Sequence, residues 1–373
     1  MNNYYCNDMW CKIGVYKEVL HHYKVRAVIK RKPEDFLVCE LLGAHVKNLF
    51  TKNKGFPLLL VMKADLDILK AKKIVEGLLG CKVNILGLKD KRAICYLYMS
   101  SRSKKARISA YSLNNLRITP IGFTYRPLVK SDLIGNCFKI RIILKERIEE
   151  ENIRNWARAL ENGKIPNFYG IQRFGIKNPN HIIGEMLVRG AFTDAAKMVL
   201  GHDFKDERRA IEALRKLPIT VRRIYVQAYQ SYLFNKMLSM ILEDYKELPF
   251  DSKVRFLEKN RYIYTKKMKS TNKLPIRIPE AQLAGYSFRP KNDVYSMYLM
   301  RVLEEEGISY KNFFIRGMEE VSVEGGFRPV AIPAWHVNYI SKENELLIRF
   351  VLHTGSYATA ALRELVSFHI PET

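Results

Sequence analysis

Hydrophobic period changes twice along this chain. Segments that alternate with a period of two lie on both sides of a block, about Ala191 to Val321, in which apolar residues recur at steps of three and four. Neither a lone sheet nor a helical bundle accounts for that order. It implies an α+β chain in which a mainly helical unit interrupts a strand-rich one. With 373 residues, one large domain or two ordinary ones can build a full core.

The strand readings are Phe36–Leu42 after Pro33, Phe56–Met62, Val83–Leu86, Ile94–Met99, Cys137–Leu144 and Leu346–Leu352. Leu66, Leu69, Ile74, Val75 and Leu78 form a helical stripe, with Asp65 as its expected cap and Gly80 as its stop. Glu149–Glu161 reads as a second helix. Tyr225, Ala228, Tyr229, Tyr232, Leu233, Met237, Met240 and Ile241 mark one face of a long third helix, most simply explained as core. A last helix is expected from about Tyr357, capped by Ser356. The first 24 residues show no period and are expected to form an extension or an edge hairpin.

Charge narrows the function. Lys and Arg total 63 against 38 acids, a net charge of +25. That excess favours a polyanion, nucleic acid before an acidic membrane surface. The longest apolar run, Phe56–Met62, is far below the roughly 20 residues of a membrane span. The N-terminus lacks a charged start followed by an apolar stretch, so no secretory signal is expected. Six cysteines without C-x-x-C spacing make a reducing, cytoplasmic compartment the expectation, with no metal site. Cys6 and Cys11 upstream of His21 and His22 fit no standard zinc spacing.

Motifs for nucleotide-phosphate, dinucleotide, zinc-protease and esterase chemistry are missing from the sequence, so no cofactor is expected. Basic clusters are present instead. Arg102, Lys104, Lys105 and Arg107 crowd one stretch. Lys259, Arg261, Lys266, Lys267, Lys269, Lys273 and Arg277 form another, with Tyr262 and Tyr264 between them. Cations interleaved with aromatic rings suit phosphate contacts and base stacking. Solvated loops are the plainer reading of either cluster alone.

Gly87-Leu-Lys-Asp-Lys-Arg-Ala93 places Asp90 between cations, in a tight connection between two strands. Neighbouring cations favour an ionised carboxylate, which can act as nucleophile or base. Read from charge pattern alone, a surface turn with local ion pairs is the simpler account.

Four separated blocks belong together: Ile29-Lys-Arg-Lys-Pro-Glu-Asp-Phe36, Gly87–Ala93, Pro166-Asn-Phe-Tyr-Gly-Ile-Gln-Arg-Phe-Gly175, and Gly355-Ser-Tyr-Ala-Thr359 with Leu362-Arg-Glu364. In this order they resemble the TruD family of pseudouridine synthases. Asp132–Asn136 with Phe138, and Ala228–Asn235, add lesser matches, the latter pointing to the archaeal and eukaryotic branch.

The resemblance implies a pseudouridine synthase core with a mixed or antiparallel sheet, about residues 1–192 plus 323–373. A helical TRUD domain, 193–322, would be inserted in it. It implies isomerisation of uridine to pseudouridine in tRNA, at position 13, by a monomer with no nucleotide cofactor and no membrane. Asp90 would be the essential acid, Lys30 the cation near it, and Phe36, Asn167, Tyr169 and Tyr357 the uridine pocket. Gln172, Arg173 and Phe174 would support that pocket. Three departures from the family pattern stand out: Ile94-Cys-Tyr-Leu97 where a hydroxyl and a glutamine are usual, the order Phe168-Tyr169, and a single Arg328 where two arginines are usual. The alternatives are a tRNA-binding chaperone without catalysis, or a synthase for another RNA site.

Overall fold

A computed structural model describes residues 9–52, 54–106, 109–175, 179–249, 278–332 and 334–371. Residues 9–24 form no strand. After one 3-10 turn, Cys11–Ile13, they run as an irregular strap instead of the expected edge hairpin. Cys11 is disulfide-bonded, unlike the reduced thiols expected of it, whereas Cys39, Cys81, Cys95 and Cys137 are free.

The chain then enters a large sheet with β1 (Arg26–Ile29), β2 (Phe36–Leu42), β3 (Phe50–Thr51) and β4 (Phe56–Ala64). Helix α1 (Ile68–Leu79) follows. Its cap is Asp67, which accepts from the Leu69 and Lys70 N–H groups, and not Asp65, whose φ of 45° breaks the strand before the helix starts. Gly80 ends it at φ 64°, the left-handed conformation that glycine supplies without strain. Next come β5 (Val83–Ile85), β6 (Ile94–Ser101), β7 (Tyr111–Leu113), β8 (Leu116–Thr124), β9 (Leu133–Leu144) and α2 (Glu150–Glu161).

The helical layer holds α3 (Asn180–Arg189), α4 (Phe192–Leu200), α5 (Glu207–Arg215) and α6 (Ile219–Tyr245). Helix α3 lies along α6, and a Cβ at Gly184 would come within 2.1 Å of the Tyr225 carbonyl oxygen. Strand β10 (Glu280–Leu283), helix α7 (Val294–Glu305) and strand β11 (Gly326–Pro329) lead back, with β10 and β11 paired antiparallel. The chain finishes with β12 (Ala334–Lys342), β13 (Glu345–His353), α8 (Ala358–Arg363) and β14 (Ser367–His369). Ser356 does not cap α8; Tyr357 occupies the cap position and bonds nothing there, and the buried Ser356 hydroxyl has no partner.

The sheet is mixed, ordered β12-β13-β9-β2-β6-β4-β8-β3. β2 pairs parallel with β6 and β1 parallel with β14, and the other pairings are antiparallel. Alternation decides its two faces. Phe36, Val38, Phe138, Ile140 and Phe350 point into the main core with α1 and α2. Trp156 of α2 meets Phe350 edge to face at 6.1 Å and donates to the Ala361 carbonyl at 2.8 Å, which ties α2 to α8. The opposite face buries a small cluster of Leu41, Cys137 and Val351 and leaves Lys139 and Arg141 exposed. No helix among the described residues is long and apolar enough to cross a membrane.

Candidate active site

β5 and β6 are antiparallel neighbours, with Val83 opposite Ser101 and Ile85 opposite Met99. The connection between them must therefore turn back over one end of the sheet, and Asp90 lies in it. Beneath that turn is Lys63 of β4, with no exposed surface. Its ammonium donates to the main-chain carbonyls of Asp90, Lys91 (3.2 Å) and Ala93 (3.5 Å). A buried ammonium is stable only where acceptors replace its lost water. Here the acceptors are three peptide carbonyls of one turn, so satisfying the charge fixes the path of the backbone that carries Asp90.

The Asp90 carboxylate pairs with Lys30, and 24% of the Asp90 side chain stays exposed. Lys30 ends β1 in the left-handed region, φ 53°, an unfavourable conformation for a residue with a Cβ. That kink turns its side chain inward, where it is 2% exposed and its nitrogen lies 4.2 Å from the centre of the Phe36 ring. The edge-to-face partner of Phe36 is Phe138, 5.9 Å away. Phe36 is thus a buried floor under Lys30.

The other cations near Asp90 in sequence face elsewhere. Lys89 forms a buried pair with Glu40 at 2.5 Å. Burial raises the Glu40 carboxyl pKa, opposed by Lys89 and by the Tyr98 N–H. Arg92 donates to the main-chain carbonyls of Pro371 and Arg31. Lys91 is exposed. Cys95, in the segment that departs from the family pattern, is buried; burial raises its thiol pKa, and Lys63 opposes that rise partly through a hydrogen bond.

Arg328 organises a second cluster. Its guanidinium is buried, lies 3.7 Å from the centre of the Tyr169 ring, and donates to the Asn167 carbonyl (2.8 and 3.1 Å), the Asn167 side-chain oxygen (3.0 Å) and the Gly355 carbonyl (2.8 Å). Burial pulls its pKa down, and Tyr169 and Tyr357 oppose this. The Asn167 amide is engaged on both sides, since its nitrogen donates to the Pro329 carbonyl at 3.0 Å. Tyr169 and Tyr357 remain half-buried, with ring centres 6.1 Å apart. Their approach needs Gly170, where a Cβ would meet the Thr359 hydroxyl at 3.0 Å and Tyr357 at 3.2 Å. Burial raises the Tyr357 hydroxyl pKa; Arg328 and Arg173 lower it, and the charges of Tyr169 and Asp90 raise it. The Asp90 charge is thus felt at Tyr357.

Arg173 braces the same loop on α6, through the Gln227 side chain (3.0 Å) and the Ser231 hydroxyl (3.3 Å). Asn235 of α6 holds Tyr169 through both main-chain groups, accepting from its N–H (2.8 Å) and donating to its carbonyl (3.1 Å), and also donates to the Ile13 carbonyl of the strap (2.9 Å). Glu364 accepts from the Val19 and Leu20 N–H groups (2.9 and 3.1 Å), and Arg363 donates to the Lys17 carbonyl (3.1 Å). Asn235, Arg363 and Glu364 therefore tie the strap to α6, against which Tyr169 is held, and to the end of α8, whose cap position is Tyr357.

The structure brings Lys30, Phe36 and Asp90 into one cluster and Asn167, Tyr169 and Tyr357 into another, linked electrostatically. Two residues escaped the sequence reading of the site. Lys63 was legible as a charge ending the apolar run Phe56–Met62; Arg328 showed only as a departure from a pattern. Gln172 makes no side-chain contact to the cluster that decides its role. The basic segment Lys259–Arg277, and Arg107 of the other cluster, lie outside the described residues. Among the described residues, no three His, Cys, Asp or Glu side chains are grouped to hold a metal ion.

Comparison with known proteins agrees with these blocks. The family model TruD, tRNA pseudouridine synthase D, matches residues 13–217 and 204–365. Similar curated proteins include the "Probable tRNA pseudouridine synthase D" of Pyrococcus furiosus, 28% identical over 91% of this chain and 95% of that one. Another is the tRNA pseudouridine synthase D of Aquifex aeolicus, 26% identical over 90% and 97%. A solved structure from Methanosarcina mazei, named for the same protein, shares the fold with a TM-score of 0.68 at 22% identity, over 95% of this chain and 97% of that one. The two matched segments take in every block that positions Asp90, Lys30 and the tyrosine pair, and this chain belongs to the TruD family of tRNA pseudouridine synthases.

Proposed function

We propose that this chain converts a uridine of tRNA, that at position 13, to pseudouridine in the cytoplasm, with Asp90 as the essential acid and no cofactor. The observation that carries this is the Lys30–Asp90 pair on a turn whose backbone is fixed by a buried lysine. The N1–C1′ bond breaks, the uracil rotates, C5 bonds to C1′, C5 then loses its proton and N1 takes one up, so the product is an isomer of the substrate. Attack at C1′ and removal of the C2′ proton both use the carboxylate form, and the Lys30 ammonium pairs with that carboxylate. Tyr357 and Tyr169 offer half-open ring faces for the extruded base. Phe36 and Asn167 shape the floor: the first seats Lys30, the second is fixed by Arg328. The strand-rich part, 1–192 plus 323–373, acts as the catalytic domain and 193–322 as the inserted domain, with tRNA between them.

The test is incubation with unmodified tRNA transcripts, carbodiimide labelling and primer extension, with Asp90→Asn as control. A stop at position 13 with the intact protein alone is expected, with tRNA affinity of the variant within about threefold, since only an uncharged isostere replaces one carboxylate. A stop elsewhere changes the substrate. Tight binding with no stop at all would leave the chaperone reading.

A further inference from the structure

The most exposed large apolar side chain among the described residues is Leu88, at 73%. It sits two residues from Asp90. An isolated exposed leucine on a mobile loop needs no explanation. This one is held stiffly. Leu86 before it is buried, Lys89 after it is pinned in the pair with Glu40, and Asp90 is held by Lys30 and Lys63. Leu86 and Lys89 on either side are turned inward, while Leu88 stands in solvent.

Resting on the reaction proposed above, we infer that Leu88 is the wedge that enters the base stack of the RNA as the target uridine leaves it. An enzyme acting on a stacked base must extrude it and leaves a gap. Apolar side chains inserted between base steps fill such gaps. A leucine presented by a rigid turn loses little freedom on insertion, so its burial is not offset by ordering. The partner surface is the stacked nucleobases flanking the target, and the phosphates stay with the cations around the site.

The test separates unstacking from chemistry. A tRNA carrying 2-aminopurine beside the target uridine is titrated with the intact protein, Leu88→Ala, Leu88→Met and Asp90→Asn. The fluorescence rise that reports unstacking is expected with the intact protein, Leu88→Met and Asp90→Asn, and not with Leu88→Ala. On folded tRNA, Leu88→Ala is expected to slow conversion by about tenfold or more, the worth of burying one leucine. On a short single-stranded RNA with the same uridine it should match the intact protein. An undiminished fluorescence rise with Leu88→Ala, or an equal loss on both substrates, overturns the wedge. If the intact protein unstacks the base and converts neither substrate, the wedge stands and the proposed reaction fails.

Discussion

Lys63 and Asp90 meet through the main chain and not through their charges. The Lys63 ammonium, wholly buried, donates to the Asp90 carbonyl, while the Asp90 carboxylate faces Lys30. One lysine therefore sets where the acid stands and another sets its electrostatic surroundings.

Replacing Lys63 by Met keeps most of the volume and leaves the carbonyls of Asp90, Lys91 and Ala93 without their donor. Stability should fall by about 1–3 kcal/mol in urea unfolding. Single-turnover conversion should slow by roughly a hundredfold, as expected when a reacting group is displaced by about an ångström. A folded variant with an unchanged rate would remove the positioning role.

Arg328→Lys keeps the charge and loses the planar fork that reaches Asn167 and Gly355 at once. It should cost about 1.5–3 kcal/mol of stability, the range for buried hydrogen bonds to a charged group. Conversion should also drop, because Tyr169 loses the cation 3.7 Å over its ring. Wild-type melting and activity would show that Arg328 merely fills space.

His181 of α3 is buried between Phe174 and Tyr232, with ring centres 5.3 and 5.2 Å away. Burial lowers its pKa from 6.5 to about 4, while a hydrogen bond with the Lys12 main chain and the Glu306 charge oppose this. The unfolded chain then binds the proton more readily, so this contribution is complete above pH 6.5 and is lost as pH falls from there to about 4. Denaturation series across that window should lose on the order of 2–3 kcal/mol in the intact protein. Most of that loss should vanish in His181→Phe; equal slopes would refute the assignment.

Asp132 supplies a second, more acidic step. Burial would raise its pKa, but the Arg126 fork, the Val129 N–H and His45 prevail and hold it at about 2. A group depressed from 3.8 stabilises the fold above pH 3.8 and stops doing so as pH falls toward 2. Asp132→Asn should flatten that part of the stability profile and leave the His181 window intact.

Binding to tRNA should weaken steeply with salt. If about four phosphates are neutralised, affinity should fall roughly a hundredfold between about 50 and 200 mM monovalent salt. A flat titration would mean that the excess of 63 basic over 38 acidic residues does not face the RNA.

Much of the fold could be read directly, because strand alternation and helical steps are local. Phe56–Ala64, Leu133–Leu144 and Ile219–Tyr245 form the elements their periods predict, with longer ends. Two of the differences are at caps, where one residue of backbone geometry decides. Asp67 replaces Asp65 because Asp65 takes a positive φ, and Ser356 caps nothing. Helix α3 was not recognised, since its apolar face is defined by α6 and not by a long period of its own.

By itself, the sequence determined the α+β order, the basic excess, the family and the turn that bears Asp90. These follow from residue type and spacing along the chain. Only the tertiary structure decided which cations serve which acid. Lys89 is adjacent to Asp90 yet pairs with Glu40, whereas Lys30, sixty residues away, faces Asp90. It likewise decided that Asn235 and Glu364 hold an N-terminal strap that has no periodic signal. Buried charges and main-chain groups choose partners by the distances that folding creates, and those distances are not written in the spacing of residues along the chain.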